Sequence, residues 1–187
     1  SVAPLSTPSP PQPAPLPDPP RPAQHSTLHR PTLLHLFSGP MDRLDGVAAH
    51  LFPLGWESSD TDLVNVGKHD QVEADHDLSS VHLWDQILLD IRGGMYEAAL
   101  IGTPCETASK ARVGPPGPRP LRSPSHPYGL PKQQLTQAEY DQVRLGTFFA
   151  LQSAKAASVL HELNIPWMIE NPTPVGNPVS FFHLPEW

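Results

Sequence analysis

The chain has 187 residues with a formal net charge of −7, and 26 of the residues are proline. The acidic balance excludes a generally basic protein that coats nucleic acid, and the single cysteine, Cys105, excludes an internal disulfide framework or a zinc site made of several thiolates. No apolar run reaches membrane-spanning length, no signal peptide is visible and the ten histidines lack metal-site spacing, so we expect an intracellular protein without a bound metal.

The first 31 residues form a proline-rich segment with almost no periodic apolar pattern. Such a segment buries too little apolar surface to offset the entropy lost on ordering, which predicts a disordered tail or linker. A proline-rich docking ligand for an assembly partner is the alternative interpretation. Residues 32–187 suffice for one packed domain, which we expect to be incomplete at its C-terminal end because the chain stops soon after a predicted strand.

The first half of this domain alternates short apolar runs with helical patterns. The pattern predicts a strand over 32–37, a short helix over 45–51 and a second strand over 56–59. Ser80 is a candidate cap for a longer helix that ends at a pair of glycines. The apolar residues that share one face of this helix are Leu83, Trp84, Ile87, Leu88 and Ile91.

The second half continues the alternation. A strand is predicted over 96–102, and the clearest helix begins at the capping box of Thr136 and Glu139 and runs to about residue 163. A last strand follows over 166–169. Strands that alternate with helices predict an α/β domain with a mostly parallel, Rossmann-like sheet.

Polar residues follow four of the predicted strands. In an open parallel sheet, ligands bind outside the carboxyl ends of the strands, so these residues are expected to form one site. The set combines a small-residue turn, carboxylates and a thiol. Its members are Ser38, Gly39, Asp60, Asp62, Cys105 and Glu170.

The order of these motifs resembles that of the cytosine-C5 DNA methyltransferases. The resemblance spans residues 33–171, and its most specific parts are the segments Thr-Pro-Cys-Glu-Thr-Ala-Ser at 103–109 and Ile-Glu-Asn-Pro at 169–172. It implies a fold that binds S-adenosylmethionine. It also implies a nucleophile at Cys105 and, at Glu170, a carboxyl group that engages the target base.

The resemblance further implies which residues hold the cofactor. The turn after the first strand would hold the methionine end, and an acidic residue at the end of the second strand would hold the ribose hydroxyls. Asp60 is the first candidate for the ribose and Asp62 its alternative, while a later aspartate would contact the adenine. The implied pocket consists of Phe37, Ser38, Gly39, Asp60 or Asp62, and Asp77.

A long loop over residues 103–135 holds five of the twelve basic residues and one acidic residue, Glu106. Such a local basic surface beside the proposed nucleophile predicts contact with DNA phosphates. A merely solvated loop is the other interpretation. The basic residues are Lys110, Arg112, Arg119, Arg122 and Lys132.

Two alternatives to a DNA methyltransferase remain at this point. A non-catalytic relative that serves as a binding or structural module is favoured by Thr103 and Ala108, where the family usually has Pro and Phe. The other alternative is a methyltransferase that acts on RNA or another substrate through the same cofactor site.

Overall fold

The computed structural model describes residues 29–39, 46–61, 77–114 and 116–187. Four strands form one all-parallel sheet in the order β2-β1-β3-β4. The predicted α/β class with a parallel sheet is confirmed, and the arrangement is compatible with a Rossmann-like fold. The strands are β1 (Thr32–Leu36), β2 (Glu57–Thr61), β3 (Ala98–Ile101) and β4 (Trp167–Ile169).

Three α-helices among the described residues connect successive strands. α1 (Val47–Leu51) lies between β1 and β2, α2 (Val81–Arg92) between β2 and β3, and α3 (Gln137–Glu162) between β3 and β4. Parallel strands require such crossovers, because the chain must return to the same end of the sheet before each new strand.

One face of the sheet packs against both long helices. Leu34 and Leu36 of β1 are fully buried there and belong to the same core cluster as Ile101 of β3. Because side chains alternate between the two faces of a strand, this spacing of two sets the register of the core. The helices contribute Trp84, Ile87, Leu88 and Ile91 from α2, and Phe149, Ala156, Ala157, Val159 and Leu160 from α3.

The start of α2 differs from the expectation. Ser80 is the N-cap residue, but its side chain makes no capping hydrogen bond. Instead, the Asp77 carboxylate accepts hydrogen bonds from the Ser79 backbone N–H at 2.9 Å and the Ser79 hydroxyl at 2.8 Å. An aspartate two residues upstream accepts these bonds as an Asx turn, so the turn and not the predicted cap orders this helix start.

α3 begins as predicted. The Thr136 side chain accepts from the Glu139 backbone N–H at 3.3 Å, and the Glu139 carboxylate accepts from the Thr136 backbone N–H at 2.8 Å. This reciprocal pair satisfies two backbone donors at the helix end, which is why the local sequence determines where the helix starts.

Candidate functional site

The chain reverses direction across the sheet beside β1. From β1 it moves outward to β2 and then returns to β3 on the other side of β1. Open α/β sheets bind ligands at such a switch point, outside the carboxyl ends of the strands, which here are β1 and β3. Gly102 follows β3 at this edge and donates its N–H to the carbonyl of Leu36 at 3.0 Å. The turn after β1 and the segment that carries Cys105 therefore leave the sheet side by side.

The turn after β1 is held by both its backbone and its aromatic ring. Phe37 has the left-handed φ of 61°, and its N–H donates to the Thr61 carbonyl of β2 at 2.7 Å. The Phe37 ring packs 5.3 Å from the ring of Phe149 and 6.0 Å from that of Trp84. This packing compensates for a backbone conformation that is uncommon outside glycine. Phe37 thus holds the turn against the core, and Ser38 and Gly39 follow it at the carboxyl end of β1.

Asp60 does not follow β2 but lies within it. Its Oδ1 is 3.2 Å from Nδ1 of His35, its register partner on β1, and accepts a hydrogen bond from the Ser58 hydroxyl at 2.5 Å. The Asp60 and His35 side chains are only 9% and 10% exposed. Burial raises the Asp60 pKa, but the bonds from His35 and Ser58 outweigh it, so the pKa is lowered overall. Oδ1 of Asp60 is thus already engaged between two strands, and the ribose contact of Asp60 stays a prediction.

The structure describes only one of the other two acidic residues predicted to bind the cofactor. Asp62 lies outside the described residues, but its neighbour Thr61 is the strand end that bonds to the turn after β1. The Asp77 carboxylate is half-buried and is used by Ser79 in the turn before α2, as described above. Asp77 therefore has a structural partner, and each of its oxygens retains one further lone pair for a ligand.

Cys105 and Glu170 follow adjacent parallel strands. Glu170 directly follows β4 and donates its N–H to the Ile101 carbonyl of β3 at 2.8 Å, while its side chain is exposed. Cys105 is half-buried in a turn whose first carbonyl accepts the N–H of Ala108 at 2.9 Å. Burial raises the pKa of the Cys105 thiol, and the negative charges of Glu170 and then Glu106 raise it further. Cys105 and Glu170 thus lie at the same edge of the sheet, after neighbouring parallel strands.

Two side-chain hydrogen bonds anchor the residues just before Cys105. The Thr103 hydroxyl, in a residue that is 2% exposed, donates to the Ser153 hydroxyl of α3 at 2.8 Å. The Asn171 amide donates to the Thr103 carbonyl at 3.1 Å and so ties the end of β4 to the end of β3. Thr103 differs from the proline usual in the resembled family, and its hydroxyl makes a bond that proline lacks.

Ala108 occupies the other position where the chain departs from the family pattern. It is fully buried beside Ala150, Phe181 and Leu184. The small Ala108 side chain leaves room for the Phe181 ring, which comes from the last segment of the chain. Sequence reasoning missed Phe181, because no periodic pattern marks the 3₁₀ turn Phe181–His183 that carries it.

The predicted basic surface is smaller than expected. Arg122 is 1% exposed, so the prediction that it contacts phosphate is wrong for this conformation. Arg119 is exposed but forms a salt bridge with Glu139, which lowers the pKa of that carboxyl to about 2. Arg112 donates to the backbone carbonyls of Glu106 and Arg119. The exposed lysines of the loop, Lys110 and Lys132, are the remaining candidates for phosphate contact.

The part of the chain that the structure describes has no helix long and apolar enough to cross a membrane. Nor do its residues include a cluster of three histidine, cysteine, aspartate or glutamate side chains suited to a metal ion. Comparison of the sequence and the fold with protein-family models, curated proteins and solved structures finds no significant match in any of the three.

The charge coupling predicts how Cys105 responds when a neighbouring carboxylate is neutralised. Glu170→Gln is expected to lower the Cys105 pKa, because it removes a neighbouring negative charge, and so to raise its alkylation rate by iodoacetamide at pH 8 about three- to tenfold. Glu106→Gln is the matched control and is expected to act in the same direction but less. The pH dependence of alkylation measures both effects without ambiguity, because Cys105 is the only cysteine. Equal profiles for Glu170→Gln and the unaltered protein would show that the two groups are not coupled.

Proposed function

We propose that this chain is the catalytic part of a DNA methyltransferase that transfers a methyl group from S-adenosylmethionine to C5 of cytosine through a covalent cysteine adduct. The observation that carries the proposal is that Cys105 and Glu170 follow the adjacent parallel strands β3 and β4 at the same edge of the sheet. One base bound between the two side chains would meet a nucleophile on one side and a carboxyl group on the other.

S-adenosylmethionine, when bound, supplies the methyl group. The backbone of Ser38 and Gly39 would hold its methionine end, Asp62 its ribose and Asp77 its adenine. Gly39 fits this role because a residue without a side chain lets a ligand approach its backbone closely, and its φ of 74° favours glycine. We assign the ribose to Asp62 in place of Asp60 because the Asp60 carboxylate already bonds to His35 and Ser58.

Cys105 would add to C6 of the flipped cytosine as a thiolate, which increases the electron density at C5. Glu170 would engage N3 and the exocyclic amine and stabilise the charge that builds up on the ring. C5 would then accept the methyl group, which leaves S-adenosylhomocysteine, and transfer of the C5 proton to water would expel the Cys105 thiolate and restore the C5–C6 double bond.

Lys110 and Lys132 are exposed cations of the 103–135 loop, and we propose them as phosphate contacts for the DNA. Arg112 supports the loop from within through its bonds to two carbonyls and the Gln142 side chain. The salt dependence of DNA binding scales with the number of phosphates that the protein neutralises, so contact through two lysines predicts a weak affinity that falls only modestly as salt is raised.

Trapping with DNA that contains 5-fluorocytosine tests the proposal. The fluorine at C5 cannot leave as a proton does, so an enzyme of this mechanism stays bound covalently after methyl transfer. We expect a denaturation-resistant protein–DNA adduct that requires S-adenosylmethionine. An RNA of the same sequence, run in parallel, tests the RNA alternative. Binding of S-adenosylhomocysteine and of DNA with no adduct on either nucleic acid would favour the non-catalytic module.

The cofactor part of the proposal predicts different effects for the two aspartates of the β2 end. Asp62→Ala is expected to weaken S-adenosylhomocysteine binding by about 1–3 kcal/mol, because a charged acceptor for the ribose hydroxyls is lost. Asp60→Asn, the matched control, keeps the shape of the buried side chain and is expected to leave the affinity within about twofold. Isothermal calorimetry measures both. A large loss for Asp60→Asn together with no loss for Asp62→Ala would return the ribose contact to Asp60.

A further inference from the structure

Arg122 is a buried cation without a counter-charge among the described residues. It is 1% exposed, and no described carboxylate lies within ion-pair distance of its guanidinium. Its hydrogen bonds go to neutral acceptors instead, and its guanidinium lies 4.9 Å from the centre of the Phe181 ring. Burial alone lowers its pKa to about 10.

The neutral acceptors belong to three separate segments. Nε and Nη2 of Arg122 donate to the Thr107 hydroxyl at 3.1 and 2.9 Å. Nη1 donates to the Pro127 carbonyl at 2.7 Å. Nη2 also donates to the Val143 carbonyl and the Thr147 hydroxyl of α3, at 3.1 and 3.0 Å. Arg122 therefore joins the turn after Cys105, the middle of the long loop and the helix α3.

A glycine in α3 leaves space for the hydrogen bonds of this junction. Gly146 of α3 faces the junction, and a Cβ atom at that position would lie 2.8 Å from the Thr107 hydroxyl and 3.5 Å from Nη2 of Arg122. Any side chain at residue 146 would thus displace the bond between Thr107 and Arg122. The helix approaches the loop closely only because this position has no side chain.

Burial of a charge without a partner opposes folding, and a well-packed apolar residue of similar volume is often neutral or stabilising in such a position. Stability alone is therefore a poor reason for an arginine here. The geometry offers another reason, since a planar guanidinium bonds to several segments at once and in fixed directions. Thr107 is only two residues after Cys105, and Thr103, two residues before it, is held by Ser153 and Asn171.

We propose that Arg122 is a positioning residue that acts through Thr107 to hold the Cys105 turn in place beside Glu170. The anchors at Thr103 and Thr107 lie on either side of Cys105, so neither end of the turn moves without breaking buried hydrogen bonds. The proposal uses the proposed function only in treating Cys105 as the nucleophile. A misplacement of a reacting group by about 1 Å can reduce a reaction rate about a hundredfold, which is why such a clamp matters for catalysis.

The test replaces Arg122 by methionine, which fills the space without the hydrogen bonds, and by lysine, which keeps the charge without the planar fork. Arg144→Met removes an exposed arginine from α3 and is the matched control. Three quantities are measured below the unfolding temperature: the pH profile of Cys105 alkylation, amide hydrogen exchange over residues 103–113, and the rate of adduct formation with 5-fluorocytosine DNA.

For Arg122→Met we expect faster exchange over 103–113 and alkylation at pH 8 that is about five- to twentyfold faster, because a released thiol is less buried. Adduct formation is expected to fall about ten- to a hundredfold. Arg122→Lys should show smaller changes than Arg122→Met in exchange, alkylation and adduct formation. Arg144→Met should behave like the unaltered protein. Alkylation, exchange and adduct formation all within twofold of the unaltered protein would overturn the proposal, even if the unfolding temperature changed.

If Arg122→Met does not fold, Thr107→Val takes its place in the same three measurements, with the same expected results. It removes the acceptor of two of the Arg122 hydrogen bonds with little change of shape. The alkylation and exchange measurements need neither DNA nor cofactor. They decide whether Arg122 holds the turn even if the unaltered protein forms no adduct, an outcome that would reject the proposed methyltransferase function separately.

Discussion

Replacement of Cys105 by alanine is expected to abolish the adduct with 5-fluorocytosine DNA and to reduce methyl transfer by more than about 10³-fold. Without the thiol, C5 of cytosine has no covalent activation, and the remaining groups can only bind and orient the base. Because Cys105 is half-buried in a turn and not in the core, the loss of its sulfur is expected to change the free energy of unfolding little. Radiolabelled methyl transfer and denaturing gel electrophoresis measure the two losses.

Cys105→Ser is the matched control for this result. It keeps the shape and polarity of the side chain, so binding of S-adenosylhomocysteine and of DNA should stay within about twofold of the unaltered protein while adduct formation is lost. Thermal unfolding of both variants checks that the fold persists. Methyl transfer by Cys105→Ala at an undiminished rate would contradict a covalent mechanism and favour a methyltransferase that uses only the cofactor site.

Replacement of Trp84 by alanine is expected to reduce the free energy of unfolding by about 3–5 kcal/mol, a large part of the 5–15 kcal/mol typical of a domain. Trp84 is fully buried, its indole N–H donates to the Leu78 carbonyl at 2.8 Å, and its ring contacts Phe37. Its loss would leave a cavity beside the turn after β1. We therefore expect cofactor affinity to fall as well, since we propose that this turn holds the methionine end of the cofactor.

Trp167→Ala is the comparison for Trp84→Ala, because Trp167 lies on the edge strand β4 and is 36% exposed. Its removal is expected to cost about 1 kcal/mol or less. Chemical denaturation with the slope held constant measures both losses. Similar losses for the two tryptophans would mean that the core does not centre on the face of the sheet covered by α2 and α3.

The two predicted catalytic residues are easier to locate by sequence than the residues that support them. Cys105 and Glu170 each follow a short apolar run, and strand ends are visible as the point where such a run stops. Thr107 and Arg122, by contrast, carry no local signal of their contact. They are 15 residues apart in a loop without periodicity, and the sequence cannot tell a buried arginine there from a solvated one.

Asp60 is another residue whose contacts the sequence alone does not reveal. The apolar pattern predicted a strand over 56–59, whereas β2 extends to Thr61 and takes Asp60 into the sheet. What holds Asp60 there is His35, 25 residues away along the chain. A polar residue near a strand end can belong to the strand or to the site beyond it. Only the partner on the neighbouring strand decides between them.

Local patterns thus determined the elements: the apolar runs of β1 and β3, the apolar face of α2 and the capping box of α3 depend on residues within a few positions of one another. The order of the strands, the pairing of Asp60 with His35 and the burial of Arg122 depend on contacts between residues far apart in the chain. Apolar periodicity and helix caps involve residues within one helical turn or one strand, so they can be recognised in the sequence. Whether a charged side chain is buried or exposed depends on which segments the folded chain brings together. Here it depends on how the sheet and α3 pack around the loop.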